Sequence, residues 1–158
     1  MTSGGSPEMV AELKRASDAF ESQQPQDVLK DAIKRFAPKI VVACSFGAED
    51  VVLVDMVHRI DPSIPLFYLD TDFLFPETYE TRDRIIQQYQ QAAQHGPALW
   101  STEPDRCCQL RKVEPLTRVL KGYDAWITGI RRDQSPTRAN AGLIEWDSKF
   151  QLVKVNPL

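Results

Sequence analysis

Five consecutive apolar residues at positions 40–44, IVVAC, narrow the choice of fold at once. A short β-branched run without polar residues is typical of a strand buried on both faces, as in parallel sheets. Two similar runs follow at residues 64–69 (IPLFYL) and 125–128 (AWIT). Helical patterns separate these runs, and the alternation predicts an α/β domain with a mainly parallel, twisted sheet flanked by helices.

Apolar residues recur at helical spacing in the segments around these strands. The predicted helices cover residues 10–20, 25–36, 49–60, 76–89 and 106–122, with Asp105 as the cap of the last. Pro115 should kink or restart the last of them. Residues 143–146 and 150–155 predict two antiparallel strands joined by a tight turn at 147–149.

The composition is that of a soluble globular protein, with 158 residues, 42% hydrophobic and 26% charged. We expect one domain over residues 1–158, with residues 1–7 disordered. A net charge of −3 gives no general attraction to nucleic acid or membrane, so local cations must hold any anionic ligand. Without a signal sequence or membrane-spanning run, the expected location is the cytoplasm. The oligomeric state stays open, a homo-oligomer included.

Each polar loop of interest follows a predicted strand, at the sheet edge where ligands bind in such folds. In the first, SFGAED (residues 45–50), Gly47 allows a close backbone approach and the Ser45 hydroxyl can donate. The start of the next helix adds free N–H groups, which together would suit an anion. The loop lacks the lysine of a Walker A motif. The alternative interpretation is a serine N-cap with Glu49 and Asp50 in the first turn.

Three arginines lie within eight residues of the loop after the third strand: Arg131, Arg132 and Arg138. Guanidinium groups bind oxyanions through two parallel hydrogen bonds, so this cluster also suggests an anion site. A solvated loop paired with carboxylates is the alternative.

The chain has three cysteines, and two of them are adjacent, Cys107 and Cys108. On a helix, Arg111 and Lys112 would share a face with these sulfurs and lower their pKa, favouring thiolates that act as nucleophiles or metal ligands. The alternative is a pair of small buried residues. A four-cysteine iron–sulfur cluster needs two more thiolates, and Cys44, which ends a buried strand, is expected to be a core residue.

Four blocks resemble the reductases of adenylylsulfate (APS) and phosphoadenylylsulfate (PAPS): VVACSFGAEDVVLVDMV, FYLDTDFLFPETYETRD, PDRCCQLRKVEPL and AWITGIRRDQSPTRA. They occur in family order over nearly the whole chain from residue 40. The adjacent cysteines resemble the branch that carries a 4Fe–4S cluster and uses APS. The resemblance implies an adenine-nucleotide alpha-hydrolase-like (modified pyrophosphatase-loop) fold.

The resemblance also implies a site and a reaction. Leu69 would lie near the adenine, Lys112 would link cluster and substrate, and Arg138, with Arg131 or Arg132, would meet the sulfate end. Residues along the phosphate and ribose would be Ser45, Phe46, Gly47, Ala48, Glu49 and Asp50. In the family a C-terminal cysteine attacks the sulfur of APS, AMP leaves, and thioredoxin or a similar dithiol releases sulfite.

Two departures from the family bear on activity. The family continues beyond the position of Leu158 to a second cysteine pair and the catalytic cysteine. We therefore expect two of the four cluster ligands, no catalytic nucleophile and no activity from these 158 residues alone. The family also places an extra strand and loop near Gln90, and this sequence lacks that segment. The alternatives are a PAPS reductase, a related sulfurtransferase, a non-catalytic nucleotide-binding fragment, or a purely structural domain.

Overall fold

The computed structural model describes residues 5–70, 74–89 and 113–158. Within these ranges one sheet has the strand order β2-β1-β3-β5-β4. Its strands are β1 (Ile40–Ala43), β2 (Leu66–Phe67), β3 (Ala125–Ile127), β4 (Ile144–Asp147) and β5 (Leu152–Val155). The pairs β1–β2, β1–β3 and β3–β5 are parallel, whereas β4 lies antiparallel to β5 at the edge. The prediction of a mainly parallel sheet is confirmed.

The described helices are α1 (Pro7–Phe20), α2 (Pro25–Phe36), α3 (Ala48–Ile60), α4 (Pro76–Tyr89) and α5 (Glu114–Leu120). Proline occupies the first turn of α1, α2 and α5, where its missing N–H removes no helical hydrogen bond. The Ser6 side chain caps α1 by accepting a hydrogen bond from the Met9 N–H at 3.2 Å, so Ser6 and Pro7 belong to an ordered helix start. No helix in the described ranges could cross a bilayer.

Side chains of the central strands alternate between two apolar clusters on opposite faces of the sheet. Ile40 and Val42 of β1 lie in the larger cluster, together with residues of α1, α2, α3 and α4. Val41, between them, lies in the smaller cluster with Leu116 and Leu120 of α5. Both faces of β1 are thus covered, which explains why this strand carries no polar residues.

Several element ends differ from the sequence expectation. β2 is shorter than residues 64–69, and β5 begins at Leu152 rather than at residue 150. The turn before β5 is longer because Asp147 accepts hydrogen bonds from the N–H groups of Lys149 and Phe150, and Gln151 adopts a left-handed backbone with φ 59°. α5 starts at Glu114, with Pro115 in its first turn, and ends at Leu120. Residues 106–112 of the predicted helix lie outside the described residues.

The order in which the strands are added reverses at β1, which has β2 on one side and β3 on the other. This position is the topological switch point of the sheet. The chain leaves β1 through α3 towards β2 and later returns across β1 to form β3. The loops after β1 and β3 therefore start side by side, at the carboxyl ends of two neighbouring strands. Open α/β sheets bind their ligands at this kind of position.

Candidate functional site

A cavity of about 440 Å³ opens at the carboxyl ends of β1, β2 and β3. Its walls include residues from the loops after all three strands, so the structure brings these loops together as their positions in the sequence predicted. Polar side chains line one part of the cavity: Ser45, Glu49, Asp50, Gln134 and Arg138. Apolar side chains line another part, which is continuous with the smaller cluster: Ala43, Phe67, Leu69, Leu116 and Trp126.

The loop after β1 is held in place by Asp50, which is 8% exposed in the first turn of α3. One Asp50 carboxylate oxygen accepts hydrogen bonds from the Ser45 N–H at 2.6 Å and from the Ser45 hydroxyl at 2.5 Å. The N-cap of α3 is Gly47 and its first residue is Ala48. The interpretation of Ser45 as the N-cap is therefore wrong. Its hydroxyl proton is directed to Asp50 rather than to a ligand.

Phe46 gives this loop its sharp bend. Its backbone has φ 63°, a left-handed conformation that bulky side chains rarely adopt, at a cost of about 1–3 kcal/mol. The ring is buried and packs edge-on against Tyr68, with 5.0 Å between the ring centroids. This packing offsets part of the strain and directs the chain from β1 into α3.

The loop after β3 lies directly against the start of α3 at Gly129. A Cβ atom at this position would overlap the Asp50 carboxylate and lie 3.3 Å from the Glu49 Cβ. Only glycine permits this approach, because any larger residue would displace one of the two loops. The close contact of the two loops therefore depends on Gly129.

Gln134 connects the residues at the polar end of the cavity. Its side-chain amide N–H groups lie 3.4 Å from Glu49 Oε1 and 3.3 Å from the Gly129 carbonyl, and its oxygen accepts hydrogen bonds from the Arg131 N–H and the Arg138 guanidinium. Arg131 pairs with Glu49 at 3.3 Å. The pKa of Glu49 is lowered, first by its own backbone N–H, then by Gln134 and the charge of Arg131. Glu49 is thus an anion at neutral pH.

The three arginines point to different partners. Arg138 lines the cavity, and Arg131 reaches Glu49 at its edge. Arg132 forms two hydrogen bonds to the Glu21 carboxylate at 2.8 and 2.5 Å, and a third at 2.8 Å to the Ala141 carbonyl. It lines a second cavity, between α1 and β4, instead of the first. The structure therefore brings Arg131 and Arg138 to the predicted site, whereas Arg132 holds the loop against the end of α1.

A buried polar network starts at Thr128, the residue that follows β3 and lines the cavity. The Thr128 hydroxyl donates to Asn156 Oδ1 at 2.5 Å. The Asn156 amide N–H groups donate to the Gly142 carbonyl at 2.8 Å and to Glu145 Oε1 at 3.0 Å. Thr128 and Asn156 are 6% and 2% exposed. The cavity wall at Thr128 is thereby fixed from behind.

Cys44 is a core residue, as predicted. It is 5% exposed, and its sulfur accepts a hydrogen bond from the Phe46 N–H at 3.4 Å. Burial raises the pKa of this thiol to about 12, so it stays protonated at neutral pH. Cys107, Cys108 and Lys112 lie outside the described residues. In the ranges that the structure describes, no three His, Cys, Asp or Glu side chains are grouped to hold a metal.

Several cavity residues were not singled out from the sequence, among them Trp126, Thr128, Gly129 and Gln134. All four lie in or next to the AWIT run and the loop after it, which was itself recognised as a ligand loop. A glycine directly after a buried strand was the available signal for Gly129. Trp126 and Thr128 gave no signal, since each reads as an ordinary strand residue.

The fold and the cavity define a class of protein, an α/β domain with an open cavity at the switch point of a mainly parallel sheet. The chain belongs to the phosphoadenosine phosphosulfate reductase domain family, which it matches over residues 39–158. It is 41% identical to the adenosine 5'-phosphosulfate reductase of Halalkalibacterium halodurans, over 92% of this chain and 70% of that protein. It is 40% identical to the phosphoadenosine 5'-phosphosulfate reductase of Gloeobacter violaceus, over 92% and 67%.

Solved structures agree with this assignment. The phosphate complex of phosphoadenylyl-sulfate reductase from Candida auris superposes with a TM-score of 0.80 at 27% identity, covering 97% of this chain and 79% of that one. FMN adenylyltransferase of Candida glabrata in complex with ATP gives 0.65 at 16% identity, over 94% and 50%. The second likeness shows the fold alone, and the first places the chain structurally within the reductase family.

Proposed function

We propose that this protein binds adenylylsulfate and takes part in its reduction to sulfite and AMP, with thioredoxin or a similar dithiol as electron donor. The observation that carries the proposal is the division of the cavity at the switch point. One wall is apolar, and the other holds a helix start and an arginine. A nucleotide has the same two parts, since its flat base suits the apolar wall and its anionic end suits the wall with the helix start and the arginine. The relatives named adenosine 5'-phosphosulfate reductase support the same substrate.

In this proposal the adenine lies against Leu69 in the apolar part of the cavity. The ribose and the sulfate-bearing phosphate lie along residues 45–50. Because Ser45 donates its proton to Asp50, the anion is held instead by free N–H groups at the start of α3. Arg138, with Arg131 at the rim, supplies positive charge that attracts the anion. This charge offsets the repulsion between the anion and the carboxylates of Glu49 and Asp50.

A cysteine thiolate serves as nucleophile in the proposed reaction. It attacks the sulfur of adenylylsulfate, the bond between sulfur and the phosphate oxygen breaks, and AMP leaves with the bonding pair. Cationic groups beside the phosphate stabilise the charge that develops on AMP. A dithiol then releases sulfite and becomes oxidised to a disulfide. Cys44 is unsuited to the attack, because it is buried and its pKa is raised to about 12.

The proposal includes a 4Fe–4S cluster with Cys107 and Cys108 as two of its four thiolate ligands. Cys44 does not fit as a third, because its thiol is buried in the core and protonated. When bound, the cluster would add iron–thiolate charge near the substrate, and Lys112 is the residue proposed to lie between the two. Iron and acid-labile sulfide content, measured with and without Cys107→Ser and Cys108→Ser, tests this part separately.

Calorimetric titration of the anaerobically purified protein with adenylylsulfate, PAPS and AMP tests the binding proposal. Arg138→Ala should weaken binding by about 1.5–3 kcal/mol, the range for hydrogen bonds to charged groups. Arg15→Ala, which removes an exposed guanidinium on α1, is the matched control and should leave affinity unchanged. Unchanged affinity in Arg138→Ala would remove that residue from the site, and a lack of nucleotide binding by the unsubstituted protein would refute the proposal.

PAPS reduction is the second candidate, because relatives from Gloeobacter violaceus and Candida auris carry that name. Tighter binding of PAPS than of adenylylsulfate would favour it. A third possibility is a domain that binds nucleotide without catalysis. An assay of sulfite release with thioredoxin distinguishes it from both reductases, because such a domain would bind adenylylsulfate and release no sulfite.

A further inference from the structure

The direction of the hydrogen bond at Thr128 can be deduced from its partners. Asn156 faces the Gly142 carbonyl and the Glu145 carboxylate with one end of its side-chain amide. Both partners are acceptors, so that end of the amide must be the NH₂ group. The amide oxygen then faces Thr128 and must accept its proton at 2.5 Å. The Thr128 hydroxyl is consequently fixed as a donor towards Asn156.

A hydroxyl has one proton and two lone pairs, so Thr128 Oγ1 keeps the capacity to accept. Among the described residues, no donor is hydrogen-bonded to this oxygen, although Thr128 lines the cavity. Trp126, two residues earlier and so on the same face of the sheet, belongs to the apolar wall. Thr128 therefore offers an acceptor, and no donor, at the edge of the surface proposed to hold the base.

We propose that Thr128 is a specificity-determining residue that accepts a hydrogen bond from the amino group of a 6-aminopurine base. The inference rests on the proposed nucleotide binding and adds how the base is selected. A 6-oxopurine presents an oxygen acceptor where adenine presents its amino donor. Two acceptors cannot form a hydrogen bond, and a buried acceptor left without a partner reduces affinity by about ten- to a hundredfold.

The buried network behind Thr128 explains why the hydroxyl cannot rotate to suit an oxo group. Rotation would leave Asn156 Oδ1 without its donor at a site where Asn156 is 2% exposed. Asn156 cannot turn over in compensation, because its NH₂ group would then lose both the Gly142 carbonyl and the Glu145 carboxylate. The recognition of a donor is thus enforced by four linked residues, of which only Thr128 lines the cavity.

Calorimetry with AMP, purine riboside 5'-monophosphate and IMP tests the proposal on the unsubstituted protein. The second ligand lacks the 6-substituent and the third carries an oxo group. We expect affinity to fall in the order AMP, purine riboside monophosphate, IMP, with at least a tenfold difference between first and last. Equal affinities for AMP and IMP would overturn the proposal, whereas failure of all three to bind would instead refute the proposed nucleotide site.

Two variants assign the effect to this residue. Thr128→Val keeps the shape but removes the acceptor, so the preference for AMP over IMP should shrink towards unity. Thr128→Ser keeps the hydroxyl and should retain the preference. A Thr128→Val protein that keeps the full preference would overturn the role of Thr128. If that variant does not fold, the three-ligand series still decides whether the site requires a donor at this position of the base.

Discussion

Replacing Gly129 by alanine should destabilise the protein through one steric contact. The added Cβ would overlap the Asp50 carboxylate and approach the Asp50 Cγ to 3.2 Å. Asp50 is buried and held by two hydrogen bonds from Ser45, so it cannot move without breaking them. Inserting a methyl group into such a packed contact costs about 1–3 kcal/mol of unfolding free energy. For a chain of this size, that corresponds to a fall in Tm of about 2–4 °C per kcal/mol.

A double-mutant cycle tests whether Asp50 is the cause. Asp50→Ala alone should also destabilise, because it leaves the Ser45 N–H without its acceptor. In the Asp50→Ala background, however, the Gly129 methyl group no longer meets the carboxylate. The cost of Gly129→Ala should therefore fall by about 1 kcal/mol or more, a coupling typical of residues in contact.

Urea denaturation of the four proteins at neutral pH supplies the free energies of unfolding. The slopes should stay similar, so that differences in midpoint report stability. Nucleotide affinity in Gly129→Ala should fall as well, because the two loops that form the cavity are pushed apart. Strictly additive destabilisation would refute the argument, since it would mean that the methyl group does not meet Asp50.

Three further predictions concern single residues. In the folded protein Cys44 should resist iodoacetamide at pH 8, because it is buried and its pKa is about 12, and it should react in denaturant; fast labelling without denaturant would contradict its core position. Arg132→Glu should weaken nucleotide binding by loosening the loop that carries Arg138, and Glu21→Arg in the same chain should partly restore it; no rescue would argue against the pair as the cause. The Arg132 hydrogen bond lowers the pKa of Glu21, so ionised Glu21 stabilises the fold above its ordinary pKa of 4.5. This contribution, less than about 1 kcal/mol for an exposed pair, is lost as the pH falls through the lowered pKa. Glu21→Gln should remove that part of the acid dependence of Tm, and an unaltered pH profile of Tm would count against the pair.

The sequence predicted the fold because its signals are local. A run such as IVVAC carries its own burial pattern, and a polar loop after each run marks the ligand edge of the sheet. The cavity residues Ser45, Leu69 and Arg138 were found through their positions in such loops and through the resemblance to a family.

What the sequence could not show is where each polar side chain finds its partner. Arg131 and Arg132 are adjacent, yet one pairs with Glu49 and the other with Glu21, 111 positions away. The pairing of Thr128 with Asn156 spans 28 positions and exists only once β3 and β5 lie side by side. Such partners are set by the sheet topology, so no local pattern encodes them.

Because the Ser45 N–H and hydroxyl both donate hydrogen bonds to the Asp50 carboxylate, the loop after β1 is held in its final conformation by contacts within the protein itself. With the left-handed bend at Phe46, it positions the free N–H groups of α3 before any ligand arrives. A preorganised loop loses little conformational entropy on binding, so more of the interaction energy appears as affinity. Its backbone should be superposable between the free and nucleotide-bound protein, and the rate of association should reflect diffusion and charge rather than folding of the loop.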